Sequence, residues 1–369
     1  MKKILSFFCF VFCFFSGISK EDPKVSLLTF SPGTKVYSVF GHTAIRVQNK
    51  STNQDIVYNF GMFDFDTPNF ALRFTKGDMD YKVGIEDFDR MLKGYELEKQ
   101  NVIEQPLDFT SQQTKQIVQS LRFAYRPENR YYRYGFLQRN CSTELRDLIF
   151  EKTSGISYSP TETGNTYRYY LKNYTKSMPW MRLGINLALG SGIDKKITTD
   201  ELMFLPRYLS EEVEKATTSG RPLVSKKNKI LDIEKGKQSF WKLTPIIVFT
   251  LFFVFMVLTK SVVMSKVLTF LVGIAGTAIF AISLYSLHPE VHYNYNLLWC
   301  NPLYLVAFII SFFKSNRFHK LFTTLLLLCL IAVIVIWVFK IQGYVLGFFP
   351  IVASLFWINL KTVLRNTSK

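Results

Sequence analysis

The chain has 369 residues, a formal charge of +17, 16% aromatic residues and only five cysteines. The basic excess does not point to nucleic acid, because it gathers in one linker and beside apolar runs, where export and membrane topology account for it. A single cysteine, Cys141, stands between residues 20 and 240, which excludes an intrachain disulfide in that part of the chain.

Lys2 and Lys3 precede an apolar run from Ile4 to Phe15, and small residues follow, ending at Ser19. Residues 1–19 are expected to be a signal peptide, since the run is short for a membrane span. Cys9 and Cys13 would be lost with it, and no lipobox-like pair closes it. Residues 20–215 read as a soluble, mixed domain, large enough for one core.

Val25 to Val47 reads as strands. Alternation puts His42, Ala44 and Arg46 on one face of the second. Asn49 to Gln54 is a polar turn, and Asp55 to Phe65 is a returning strand that would bring Asn59 or Asp64 near His42. Asp80 to Gly84 is a third extended piece. Thr110 to Phe123 has helical spacing behind a threonine cap. An aromatic, basic segment, Tyr131 to Phe136, leads to Cys141, after which Leu145, Leu148 and Ile149 recur at helical spacing around Glu144 and Arg146. Ser142 and Thr143 favour a helix start there. A thiol at a helix N-terminus meets outward-pointing N–H groups, which lower its pKa from about 8.5 toward neutrality. The bland alternative is a cysteine that simply packs.

Tyr167 to Tyr174 and Asp200 to Leu209 are further helix candidates. Residues 216–242 read as a basic linker: seven basic side chains from Arg221 to Lys242 face only Asp232 and Glu234. It is either simply solvated or drawn to anionic headgroups. From 243 to 369 the chain is membrane-like, with apolar runs at about 243–259, 267–287, 297–313, 321–339 and 344–360. With the first domain exported, these runs place Lys260, Lys266, Lys314, Arg317, Lys320, Lys361, Arg365 and Lys369 on the cytoplasmic side. Only Lys242 and Lys340 flank the outer side, as the positive-inside rule asks. The loop from His288 to Asn296 then shares the exported side. Its His288, His292, Asn294 and Asn296 either anchor the interface or line a substrate entrance.

His42 is the only histidine of the exported domain and Cys141 its only cysteine. Cysteine nucleophiles need a nearby base, and that base usually needs an orienting group. His42 fits the first need, and Asn59 or Asp64 the second. One cysteine and one histidine make no metal site, and no glycine-rich phosphate loop is present.

Phe40-Gly41-His42-Thr43, Tyr58-Asn59-Phe60-Gly61-x-Phe63-Asp64-Phe65, Pro127-Glu128-Asn129-Arg130, Tyr132-Arg133-Tyr134-x-Phe136 and Asn140-Cys141-Ser142-Thr143 resemble the Bacteroidota family that contains the Lnb lipoprotein N-acyltransferase. Asn294 to Trp299, followed by Asn301-Pro302, agrees in the membrane half. The resemblance implies a Cys–His site carried by Cys141 and His42; Asn59 is taken as the catalytic orienter, with Asp64 the alternative, and no cofactor is expected. It implies an acyl chain moved from a phospholipid, through a Cys141 thioester, to the N-terminal amine of a diacylglyceryl-cysteine lipoprotein at the periplasmic face of the inner membrane. Asp64, Arg146 and the four loop residues are the expected substrate contacts. The order of His strand and Asn-Cys helix also resembles circularly permuted papain-like enzymes, such as the lecithin:retinol acyltransferase and NlpC-type groups. The expected fold is thus an α+β papain-like domain followed by an all-α bundle of about five transmembrane helices. The rival reading is a membrane-anchored thiol hydrolase acting on wall peptides or phospholipids.

Overall fold

The computed structural model describes residues 22–63, 66–233, 243–313 and 317–365. The expected signal peptide and Asp64 lie outside these residues. Strand β1 (Lys24–Phe30) is buried along nearly its whole length, because its apolar side chains serve both faces of a sheet. Leu27 enters one core and Leu28 the other, as alternation requires. Strands β2 (His42–Asn49) and β3 (Gln54–Met62) continue an antiparallel meander. They are followed by α1 (Phe70–Lys76), β4 (Asp80–Asp87), α2 (Phe88–Leu97) and β5 (Val102–Pro106). Next come α3 (Ser111–Tyr125), β6 (Tyr131–Arg133) and α4 (Cys141–Phe150).

Seven strands form one antiparallel sheet in the order Asn228–Leu231, β5, β1, β2, β3, β4, β6. Phe88 and Met91 of α2 cover one face, against Leu28, Ala44 and Val57. The other face buries Leu27, Ile45 and Phe60 beneath Ile117 and Leu121 of α3 and Leu145, Leu148 and Ile149 of α4. Each such side chain contributes about 1.5–3 kcal/mol by leaving water, so this layer fixes α4 firmly on the sheet. Thr110 starts α3 through a capping box, its hydroxyl accepting from Gln113 N while Gln113 Oε1 accepts from Thr110 N at 2.9 Å.

Two expectations change. The stretch expected as one helix over 200–209 is two, Thr199–Leu202 and Pro206–Lys215, because Pro206 opens a new helix. The expected linker starts later than residue 216. Thr217–Thr218 pairs with Ile156–Ser157 and with Arg221–Pro222, and Asn228–Leu231 forms an edge of the main sheet beside β5. Lysine on an edge strand guards it against further pairing, so a basic composition there is compatible with sheet.

The C-terminal region is helical: Pro245–Thr259, Val262–Tyr285, Leu303–Ile310, Arg317–Val338 and Phe348–Arg365. Val262–Tyr285 and Phe318–Val338 are long and apolar enough to cross a membrane, and two more apolar helices are shorter. The run expected over 297–313 has only eight residues of α-helix. Asn301 and Pro302 delay its start, Asn301 Oδ1 accepting from Leu303 N at 3.0 Å. Trp299, Tyr304, Leu326, Leu330, Phe348 and Leu355 fill the core between these helices.

Polar bonds lock the two regions together. Arg168 is 2% exposed and donates to Asp194, to Asn186 Oδ1 and to the carbonyls of Leu189 and Gly190. Asp194 in turn accepts from Gly343 N at 3.0 Å. Nearer α1, Ser286 Oγ donates to Thr75 O at 2.7 Å and Leu287 N to Lys76 O at 2.7 Å. The α/β domain is thereby seated on the end of Val262–Tyr285.

Candidate active site

Cys141 is the first residue of α4, and Asn140 is its cap. Asn140 Oδ1 accepts from Ser142 N at 2.8 Å and Thr143 N at 3.0 Å, while Thr143 Oγ1 accepts from Asn140 N at 2.8 Å. The Asn140 amide nitrogen donates to Phe136 O at 2.9 Å and Phe204 O at 3.0 Å. Both ends of this side chain are therefore spent on holding the nucleophile's loop.

His42 opens β2, paired with Phe30 of β1, and its ring stacks on Phe30 with centroids 5.6 Å apart. Its Nε2 lies 3.1 Å from Asn59 Oδ1, and Asn59 is 6% exposed. An amide oxygen only accepts, so Nε2 carries the proton and Nδ1 is left to the thiol. The β3–β4 register slips between Asn59 and Met62. Gly61, at φ +83°, carries the backbone past Cys141: a Cβ on it would sit 3.6 Å from Cys141 Cβ and 3.8 Å from Cys141 N. The bulge thus sets both the orienting amide and a wall of the site.

Burial pushes the Cys141 thiol up, but its pKa ends below the ordinary value. The facing His42 charge, its hydrogen bond and the amides of Thr43 and Ser142 outweigh desolvation. His42 ends above its ordinary value for the reciprocal reason. Burial lowers it, while the Cys141 thiolate and the hydrogen bonds to Cys141 and Asn59 raise it more. Both directions favour a thiolate–imidazolium pair, in which the two titrations belong to the pair. Cys141 itself is only half-buried. This arrangement can attack an acyl carbonyl and return a proton to a leaving group.

The structure brings together Cys141, His42 and Asn59, and among the described residues it places Arg146 and the four loop residues elsewhere. Arg146, one turn further along α4, pairs with Asp147 at 2.7 Å and with the Asp200 carbonyl at 3.2 Å. His288, His292, Asn294 and Asn296 each meet a backbone carbonyl of a neighbouring helix. Asn294 donates to Leu187 O at 2.8 Å, and Asn296 to Asn186 O at 2.9 Å. His292 Nδ1 lies 3.1 Å from Ser283 O, and His288 Nε2 lies 3.0 Å from Phe74 O. A side chain at Gly190 would run into the His292 carbonyl, so the loop is pressed onto the α/β domain.

Two site residues were not singled out from the sequence. Asn140 could have been, since asparagine just before a helical run is a strong cap. Tyr132 opens one of the family-like segments, but nothing in that segment marked its hydroxyl as a site group. Its hydroxyl is buried beside the Gly61 backbone, with no well-formed hydrogen bond among the described residues, and it lies 3.8 Å from the position of a Gly61 Cβ.

Two protein-family models match the chain: one described as the Lnb N-terminal periplasmic domain, over residues 17–173, and one described as the Lnb transmembrane domain, over residues 235–369. No curated protein and no solved structure matches it.

Proposed function

The chain belongs to the Lnb family, a lipoprotein-modifying membrane enzyme with a periplasmic domain, and from that premise we propose that it is a cysteine-dependent lipoprotein N-acyltransferase. The observation that carries this reading is the Cys141–His42–Asn59 constellation on a domain seated at the end of an apolar helix.

In the first half-reaction the Cys141 thiolate attacks an ester carbonyl of a phospholipid. The tetrahedral intermediate collapses, its C–O bond breaks, and imidazolium His42 protonates the departing alkoxide. The products are an acyl thioester and a lysophospholipid. In the second half-reaction the α-amine of a diacylglyceryl-cysteine lipoprotein attacks the thioester, His42 takes the amine proton, and the thiolate leaves. Asn59 holds the ring through Nε2, keeping Nδ1 toward sulfur. The Cys141 N–H, one of the helix's first-turn donors, and the Tyr132 hydroxyl are the groups we assign to the oxyanion.

A multi-span anchor suits this chemistry, because both substrates are held in the bilayer and one span would suffice for a wall peptidase. In the proposed topology the five apolar segments cross the inner membrane alternately, with Lys260, Lys266, Lys320 and Lys361 inside.

The test is mass spectrometry of lipoprotein N-termini in cells depleted of this protein and complemented with wild type or Cys141→Ala. The expected result is loss of the amide-linked acyl chain, restored by wild type alone. Fully acylated N-termini after depletion, with no second acyltransferase in the cell, would remove the reading and leave hydrolysis by the same thiol as the successor.

A further inference from the structure

A cavity of about 380 Å³ opens between the α/β domain and the loop after Val262–Tyr285, lined among others by Arg146, Tyr167, Lys195, Glu201 and Glu290. That volume is at the small end of the roughly 300–1,000 Å³ of ligand sites. Glu290 is the one carboxylate side chain after residue 240. It is 3% exposed, its Oε1 accepts from Leu137 N at 3.2 Å, and its Oε2 is buried with no partner among the described residues. A carboxylate oxygen taken from water without a donor is costly to keep, so the position calls for one.

The other charges are paired. Lys195 bonds Glu201 at 2.8 Å, and Arg146 faces Asp147 and Asp200. Two paired cations and one half-answered carboxylate thus share one small space, so an occupant carrying both signs can take Glu290 and compete with Asp147, Asp200 and Glu201 for the cations. Cys141 does not line the cavity, so an occupant there sits apart from the thiol. Arg146 stands five residues beyond Cys141 on α4, about 7.5 Å along the axis and about 140° around it, so the cavity flanks the helix that carries the thiol.

Resting on the acyl-transfer reading above, we propose that this cavity holds the aminoalkyl phosphate headgroup of the donor phospholipid, its ammonium on Glu290 Oε2 and its phosphate beside Arg146 and Lys195. The choice of donor is then made by a residue of the membrane region. Through the Glu290–Leu137 bond, that choice is made on the loop that leads to the nucleophile.

The experiment uses the full chain as Cys141→Ala in detergent, titrated by calorimetry with glycerophosphoethanolamine, glycerophosphoglycerol and inorganic phosphate. Saturable binding of the first alone is expected, weakened about tenfold or more by Glu290→Gln, because a charge-assisted bond is lost. Glutamine keeps an oxygen for Leu137 N, so this variant should melt as the parent does. Lys195→Met, at a largely exposed side chain, should weaken the same binding. Equal affinity for the three probes, or affinity unmoved by Glu290→Gln, overturns the proposal.

A second arm separates the two claims. In vesicles of matched acyl chains, the chain with Cys141 intact should acylate itself faster from ethanolamine lipid than from glycerol lipid, and Glu290→Gln should erase the ratio. Headgroup binding that depends on Glu290, with no acylation of Cys141, sinks the transferase reading and keeps the cavity. Acylation at one rate from every headgroup does the reverse.

Discussion

Two clusters of histidine and asparagine lie in this molecule, one at the start of α4 and one in the loop from His288 to Asn296, and they differ in what their polar atoms touch. In the loop, Asn294 and Asn296 cap the last carbonyls of the helix Pro179–Ala188, and both histidines meet backbone oxygens. The two asparagines answer carbonyls that the end of a helix leaves without a helical donor. At α4 the backbone work falls to Asn140 and Thr143, which leaves the Cys141 thiol and the His42 ring facing one another. Residue type therefore does not separate an anchor from a reagent here; commitment to the backbone does.

The comparison can be broken most sharply at the reagent. Cys141→Ala and His42→Ala should each lower acyl transfer by about 10⁴-fold or more, and the double variant should be no worse than either, since the two act as one unit. Single-turnover rates would measure it, and additive losses would contradict the pairing. Asn59→Ala should cost about 10- to 100-fold through misplacement of the ring.

Asn59→Ala should also move the pH profile. The active thiolate–imidazolium form appears as pH rises through the lowered Cys141 value and disappears as pH rises through the raised His42 value. The bond to Asn59 helps hold His42 up, so its loss should bring the alkaline limb of kcat/KM to lower pH. An unmoved limb would deny Asn59 its orienting role.

At the anchor the effect should pass from rate to stability. Asn296→Ala strips a donor from Asn186 O and an acceptor from Trp299 Nε1, costing about 1–3 kcal/mol, with activity per folded molecule kept within about twofold. Smallest of all, His288→Ala should stay within about 0.5 kcal/mol and near wild-type rate. A large fall in kcat/KM for either variant at unchanged melting temperature would restore a substrate role to the loop.

Much of the site was legible because its chemistry uses rare residues: one cysteine and one histidine in the exported part, each beside glycine or asparagine. Strand alternation and a hairpin narrowed the orienter to Asn59 or Asp64, and the 3.1 Å contact puts Asn59 at the His42 ring. Composition hid more of the fold than periodicity did. The strand Asn228–Leu231 sits in a lysine-rich segment because it is an edge, and β5 is too short to show a pattern. Arg168 gave no sign of being buried, since its partners come from residues 186 to 194, far along the chain. The delayed helix at Leu303 turns on Asn301 and Pro302, where a hydropathy run continues across a backbone that does not. The carbonyl partners of His288, Asn294 and Asn296 were hidden in the same way as those of Arg168, since they lie on helices far along the chain.

The central claim is that Cys141 carries the acyl chain between two membrane-held substrates. The most direct measurement is the intact mass of the purified full chain after incubation with phospholipid and no acceptor. The account predicts a gain of one acyl chain on Cys141, removed by hydroxylamine, discharged by an added lipoprotein with a free N-terminus, and absent from Cys141→Ala. An unmodified Cys141 in a preparation that still acylates added lipoprotein would contradict it.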